Sequence, residues 1–111
     1  MHDTAHRIPT VDDDHFDAAV LESELPVVVD FSAAWCPPCR VMEPVLAELA
    51  AERTDLRFVQ VDVDASPQTA ARYGVLSMPT FVVFRDGAPV RSLVGARPRR
   101  RLEQDLADAL S

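Results

Sequence analysis

The sequence predicts an α/β sandwich: a central mixed five-stranded sheet with helices on both faces. Three observations carry this reading. Apolar runs rich in β-branched residues alternate with stretches whose apolar residues recur at helical spacing. An Asp86-Gly87 turn signal separates two extended runs near the carboxyl end and marks a hairpin. A length of 111 residues, 48% hydrophobic and 26% charged, suffices for one core and is too apolar for wholesale disorder.

In chain order, residues 7–10 read as a weak first strand. Residues 12–22 read as a helix, because Asp12-Asp13-Asp14 supply N-cap and first-turn chemistry before Phe16, Ala19 and Val20. Residues 26–32, Pro-Val-Val-Val-Asp-Phe-Ser, suit a central strand buried on both faces. Residues 36–52 follow as a helix with Val41, Val45, Leu46 and Leu49 on its apolar face, and Pro44 predicts a kink rather than a break. Residues 56–63 alternate strictly, as a strand does. Ser66 as N-cap and Pro67 at the first helical position open a short helix that closes before Gly74. Residues 80–84 and 89–94 form the hairpin. The last helix runs from Pro98 to about Leu110, with Leu102, Leu106, Ala109 and Leu110 facing inward. One domain over residues 7–111 thus follows a flexible tail over residues 1–6 that carries His2 and His6.

Charge and composition exclude several functions. The net charge of −7 weighs against nucleic acid or an anionic membrane as the main partner. No apolar run approaches a membrane span, and the amino terminus lacks the apolar region of a signal peptide, so the expected compartment is the cytoplasm, where thiols are kept reduced. All eleven basic side chains are arginine, which excludes lysine Schiff-base chemistry and a P-loop. Two cysteines cannot build a disulfide-dense scaffold, and in a reducing compartment their expected role is catalytic or metal-binding.

Cys36-Pro37-Pro38-Cys39 follows a buried strand and opens a helix. A thiol there meets the positive end of the helix dipole and unpaired backbone N–H groups, both of which favour the thiolate, the nucleophile of disulfide exchange. The second cysteine, three residues on, lies one turn deeper on the same face, where it can attack a mixed disulfide and release the reduced substrate. A structural zinc site would need four ligands; there is no second cysteine pair, and His2, His6 and His15 all precede the motif. A purely structural disulfide would close too small a loop to stabilise much.

The chain resembles the thioredoxin family over nearly its whole length. The resemblance is carried by Val29-Asp30-Phe31-Ser32-Ala33-Ala34-Trp35-Cys36-Pro37-Pro38-Cys39-Arg40, Val61-Asp62-Val63-Asp64, Tyr73-Gly74-Val75, Ser77-Met78-Pro79-Thr80-Phe81, Phe84-Arg85-Asp86-Gly87 and Val94-Gly95-Ala96. It implies the thioredoxin fold and reduction of protein disulfides, with Cys36 as the exposed attacking thiol and Cys39 as the buried resolving thiol. Asp30 matches the family's buried acid; on an apolar strand its pKa should rise, allowing it to accept the Cys39 proton near neutral pH. Pro79 matches the family's cis-proline, which would set the Met78 backbone beside Cys36 for a substrate strand to pair with. Trp35 would cover the site and, with Val75, Met78, Gly95 and Ala96, form an uncharged patch for protein substrates. Gly95 either permits close backbone approach or simply ends the hairpin strand. The resemblance also implies re-reduction by a thioredoxin reductase using NADPH, with no cofactor bound to the chain itself, and monomer is the expected state.

Two departures from the family pattern bear on chemistry. Pro37 replaces the usual glycine: it removes an N–H that could reach the Cys36 thiolate, which would favour the disulfide, while a stiffer loop could strain the disulfide and act the other way. Gln60 replaces a lysine near the buried acid and so removes a neighbouring positive charge. Arg97, Arg99, Arg100 and Arg101 crowd the start of the last helix, where cations oppose the dipole, either as a solvated face or as a site for acidic partners. The competing functional readings are an oxidising or isomerising relative, and a thioredoxin-fold binding or chaperone module in which redox turnover is incidental.

Overall fold

All six residues of the central strand β1, Val27–Ser32, are buried, so both faces of this strand must be covered. The computed structural model describes residues 7–111; the expected tail over residues 1–6 lies outside them. Strand β1 pairs in parallel with β2, Arg57–Asp62, and antiparallel with β3, Thr80–Arg85, which pairs antiparallel with β4, Ala88–Val94. The result is a mixed four-stranded sheet in the order β2-β1-β3-β4. The expected fifth strand is reduced to one parallel bridge from Thr10 to Gln60, held by Val11 N–H to Gln60 O and Gln60 N–H to Pro9 O, both 2.8 Å. Pro9 has no N–H to donate to a longer ladder.

The period-2 alternation of the strands sorts two cores. On one face, Val27, Val29 and Phe31 pack with Val59, Val61, Val82 and Phe84 against Phe16, Val20 and Ala70. Phe16, Tyr73 and Phe84 stack edge-on or tilted there, with centroids 5.0–5.6 Å apart. On the other face, Val28, Phe58, Phe81, Val83 and Leu93 meet Met42, Leu46 and Leu49 of helix α1, Pro37–Glu52, and Leu102 and Leu106 of helix α3, Arg99–Leu110. Asp30 and Gln60 sit two residues beyond Val28 and Phe58, so they belong to this second face, side by side in the β1–β2 register.

Several sequence expectations are corrected. The helix expected over residues 12–22 is a single π-helical turn, Asp17–Leu21. Asp12 still caps locally, accepting from His15 N–H at 3.0 Å, but Asp13 turns away. Its carboxylate accepts from the Gln68 and Thr69 amides (3.3 and 2.8 Å) and from the Thr69 hydroxyl (2.7 Å). It thereby caps helix α2, Pro67–Arg72, in place of Ser66, whose side chain makes no cap bond. Helix α1 continues through Pro44, and Val41 is 66% exposed rather than buried. The core stripe is Cys39, Met42, Leu46 and Leu49, spaced three, four and three residues apart, and Val41 falls off it. Gly74 closes α2 at φ +67°, and Asp86 and Gly87, at φ +54° and +79°, form the hairpin turn. Helix α3 begins at Arg99, with Pro98 as its N-cap. Among the described residues, no helix is long and apolar enough to cross a membrane.

Two cations of the arginine cluster, Arg97 and Arg99, are drawn into ion pairs, whereas Arg100 and Arg101 stay exposed. Arg97 donates to Asp105 at 2.5 Å and to the Val94 and Gly95 carbonyls, and Arg101 reaches the other Asp105 oxygen at 3.3 Å. Arg99 spans from α3 to Glu48 and Glu52 of α1, at 3.0 and 2.5 Å. Arg97 and Arg99 tie α3 to the end of β4 and to α1, and Arg97 first, then Arg101, hold the Asp105 carboxyl below the usual carboxylate range.

Candidate active site

Cys36 is the N-cap of the sixteen-residue α1, and Pro37 and Pro38 occupy its first turn. Proline suits that turn because its fixed φ is already helical and its missing N–H would have had no intrahelical partner. Cys39 is the first residue of the turn with an amide to give, and its N–H donates to Cys36 Sγ at 3.3 Å. An N-cap side chain accepts from the second or third helical amide, not the first. The N–H that Pro37 lacks is therefore not one the Cys36 sulfur would use, and the effect of Pro37 lies in loop stiffness. We expect Pro37→Gly to weaken the disulfide relative to the dithiol by roughly two- to fivefold, because glycine releases a loop that proline pre-sets. Equilibration with a glutathione redox buffer measures this, and an unchanged equilibrium would contradict it.

The structure holds the oxidised form, a Cys36–Cys39 disulfide with Cα atoms 5.3 Å apart. Both cysteines are buried, at 3% and 1% exposure, in a small cluster with Ala33 against which Val63 and Met78 pack. Cys36 was expected to be exposed; bonded to Cys39 and packed near Met78, it is only marginally the more accessible of the two. Its sulfur lies 3.6 Å from the Met78 carbonyl oxygen. The Met78–Pro79 peptide is cis, and Pro79 O accepts from Gly95 N–H at 2.8 Å, joining the end of the hairpin to the site.

Trp35 is 62% exposed, with its indole N–H donating to Asp64 Oδ2 at 2.8 Å. Asp64 is itself presented by a turn in which Asp62 Oδ1 accepts from the Asp64 and Ala65 amides. Gly95 follows the end of β4 at φ +99°, and among the described residues no atom lies within 4 Å of where a Cβ would stand. Its backbone conformation, not crowding, is what favours glycine. Met78 thus lies against the disulfide and Gly95 is tied to it through Pro79, whereas Val75 packs toward the Phe16 core. Sequence reasoning gave no role to Leu76, which is 95% exposed beside Ser77 and Met78. A lone leucine in a loop carries no periodicity to mark it. Asp64 stood within a quoted motif, but its bond to Trp35 needed the fold.

Asp30, on the face of β1 that α1 covers, is 1% exposed. Oδ2 accepts a long 3.4 Å bond from Gln60 Nε2, and Oδ1 has no partner among the described residues. Desolvation pushes its pKa up to about 7; the Gln60 bond opposes this, and the Glu43 charge adds a smaller rise. Its carboxyl lies in the wall of a groove of about 690 Å³ between α1, β2 and the amino-terminal segment. No group of three or more His, Cys, Asp or Glu side chains among the described residues could hold a metal ion.

The thioredoxin family model matches residues 7–108. This chain belongs to the thioredoxin family. It is 50% identical over 103 residues to a thioredoxin of Mycolicibacterium smegmatis, covering 90% of this chain and 92% of that protein. It is 43% identical over 102 residues to a thioredoxin of Alicyclobacillus acidocaldarius, covering 91% and 96% respectively. A bifunctional thioredoxin reductase/thioredoxin of Mycobacterium leprae matches at 45% identity over 101 residues, 90% of this chain and 22% of that longer protein. With a Cys-x-x-Cys pair closed at a helix N-terminus, this member of the thioredoxin family is a thiol–disulfide oxidoreductase that reduces protein disulfides by dithiol exchange.

Proposed function

We propose that Cys36 is the attacking thiol, Cys39 the resolving thiol and Asp30 the base, in a cytoplasmic reductant that acts as a monomer. In the reduced protein the Cys36 thiolate, held by the Cys39 amide and the positive end of α1, attacks one sulfur of a substrate disulfide. One substrate sulfur leaves as thiolate and the other is bound to Cys36. The Cys39 thiol gives its proton to the Asp30 carboxylate, and its thiolate attacks the Cys36 sulfur. The Cys36–Cys39 bond forms and the second substrate sulfur leaves. The observation that supports this reading is a cysteine pair at the N-terminus of α1 with a buried carboxyl, unpartnered at Oδ1 among the described residues, on the sheet face that the same helix covers; burial raises that carboxyl toward the pH at which a base must work.

Trp35, Met78, Pro79, Gly95 and Ala96 are proposed as the substrate rim, with Val75, half-buried against the Phe16 core, supporting it from behind. Exposed Trp35 and Leu76 support it as apolar contact area, and the Met78 backbone beside Cys36 supports strand-like pairing with substrate. The electron source is a thioredoxin reductase using NADPH; the fused reductase of the Mycobacterium leprae relative supports that partnership. Insulin-disulfide reduction coupled to NADPH and the reductase of the same source tests the cycle. Turnover with both proteins and none with either alone is expected. Binding to partners that persists with both cysteines replaced, without such turnover, would favour a binding module instead.

A further inference from the structure

Glu43 stands on α1 one turn beyond Cys39, and its exposed side chain lines the groove in which the Asp30 carboxyl lies. The groups facing Asp30 from each packed element can be named. Helix α1 presents Glu43, Glu48 and Glu52, the amino-terminal segment Arg7, and β2 the neutral Gln60. Strand β3 places apolar Phe81 opposite Asp30 in register. The three glutamates are not equivalent. Arg99 neutralises Glu48 and Glu52, whereas Glu43 pairs with no cation among the described residues. Glu43 is also the carboxylate whose charge reinforces the hold of Asp30 on its proton.

A carboxyl that accepts the Cys39 proton must pass it on before the next cycle, and Asp30 is buried with one oxygen unpartnered among the described residues. The groove of about 690 Å³ has room for a chain of waters, each occupying about 30 Å³. We propose that Glu43 is a positioning residue for the proton that Cys39 gives to Asp30, its carboxylate setting the field in the groove through which Asp30 exchanges protons with water. The proton leaves the Cys39 thiol for the Asp30 carboxylate and the Cys36–Cys39 bond forms as the substrate thiolate departs. The Asp30 proton then passes through groove water to bulk, and the substrate thiolate takes one from solvent. The negative field makes Asp30 the stronger acceptor of the Cys39 proton and, by the same amount, holds that proton until groove water removes it.

This inference rests on the reading of Asp30 as the base, and its test is separable from that reading. In the reduced full-length protein, the Asp30 carboxyl carbon is titrated by NMR while the rate of mixed-disulfide resolution is followed against pH. Glu43→Gln should move the Asp30 midpoint and the rate profile together to lower pH by about half a unit, and Glu43→Arg further in the same direction. The shift should shrink in 0.5 M salt. Glu48→Gln, whose partner is Arg99, should leave the Asp30 midpoint in place. An Asp30 midpoint that stays put in Glu43→Gln, or moves equally in Glu48→Gln, would overturn the assignment. Failure of Asp30 as the base would register elsewhere, as an unaltered resolution rate in Asp30→Asn.

Discussion

Cys36→Ser should reduce disulfide-reductase turnover to the uncatalysed background, a loss of about 10⁴-fold or more, as expected when a covalent nucleophile is deleted. Cys39→Ser should also abolish turnover, but by a different route: it should accumulate mixed disulfides with substrate proteins. The asymmetry follows from the first turn of α1. The Cys36 sulfur accepts the Cys39 amide N–H at 3.3 Å and lies beside the Met78 carbonyl, where a substrate strand can align its own sulfur. Cys39 shares the core-facing stripe with Met42, Leu46 and Leu49, so it reaches inward to Cys36 rather than outward to a substrate. Non-reducing electrophoresis of the two variants incubated with oxidised insulin reads the difference. Adducts on Cys36→Ser in place of Cys39→Ser would reverse the assignment of the two thiols.

What the sequence made legible was whatever local chemistry determines. The β-branched run at Val27–Phe31, the Asp86-Gly87 turn and the cysteine pair after a buried strand each carry their own signal, and each lies where it was expected. The misses are tertiary. Val41 and Met42 are equally good helix-face candidates until the sheet selects the stripe that contains Cys39. Ser66 is the obvious cap of α2, yet Asp13, more than fifty residues away, supplies its bonds. Such a cap cannot be read from neighbouring residues. Arg97 looked like a solvated cation until Asp105, on the next turns of α3, drew it inward. In the site, Asp30 and its neighbour Gln60 were legible, because β-strand alternation and one family motif fix both. Glu43 was not, because its relevance depends on Arg99 neutralising the glutamates beside it.

Asp30→Asn should stabilise the oxidised protein at neutral and alkaline pH while slowing resolution of mixed disulfides. The folded chain holds the Asp30 proton to about pH 7, whereas an unfolded chain releases it near the ordinary aspartate value of 3.8. Between these pH values the native state binds more protons than the unfolded one, so stability falls as pH rises through that window. Well below pH 4 both states are protonated and no ionisation cost remains; above about pH 7 the full cost of a buried carboxylate is present. A shift from 3.8 to about 7 corresponds to about 4 kcal/mol, the expected ceiling on the gain from a neutral, similarly shaped side chain. Urea unfolding of the two proteins at pH 4 and pH 8 tests this directly. The curves should nearly coincide at pH 4 and separate at pH 8, with the Asn variant the more stable. Equal separation at both values would mean that Asn acts through packing rather than charge. The same substitution removes the acceptor for the Cys39 proton, so the resolution rate should fall at pH 7 and recover as rising pH ionises Cys39 unaided. Stability is thus lowest where the carboxylate is available to act, because one desolvated group at the floor of the α1 groove sets both quantities.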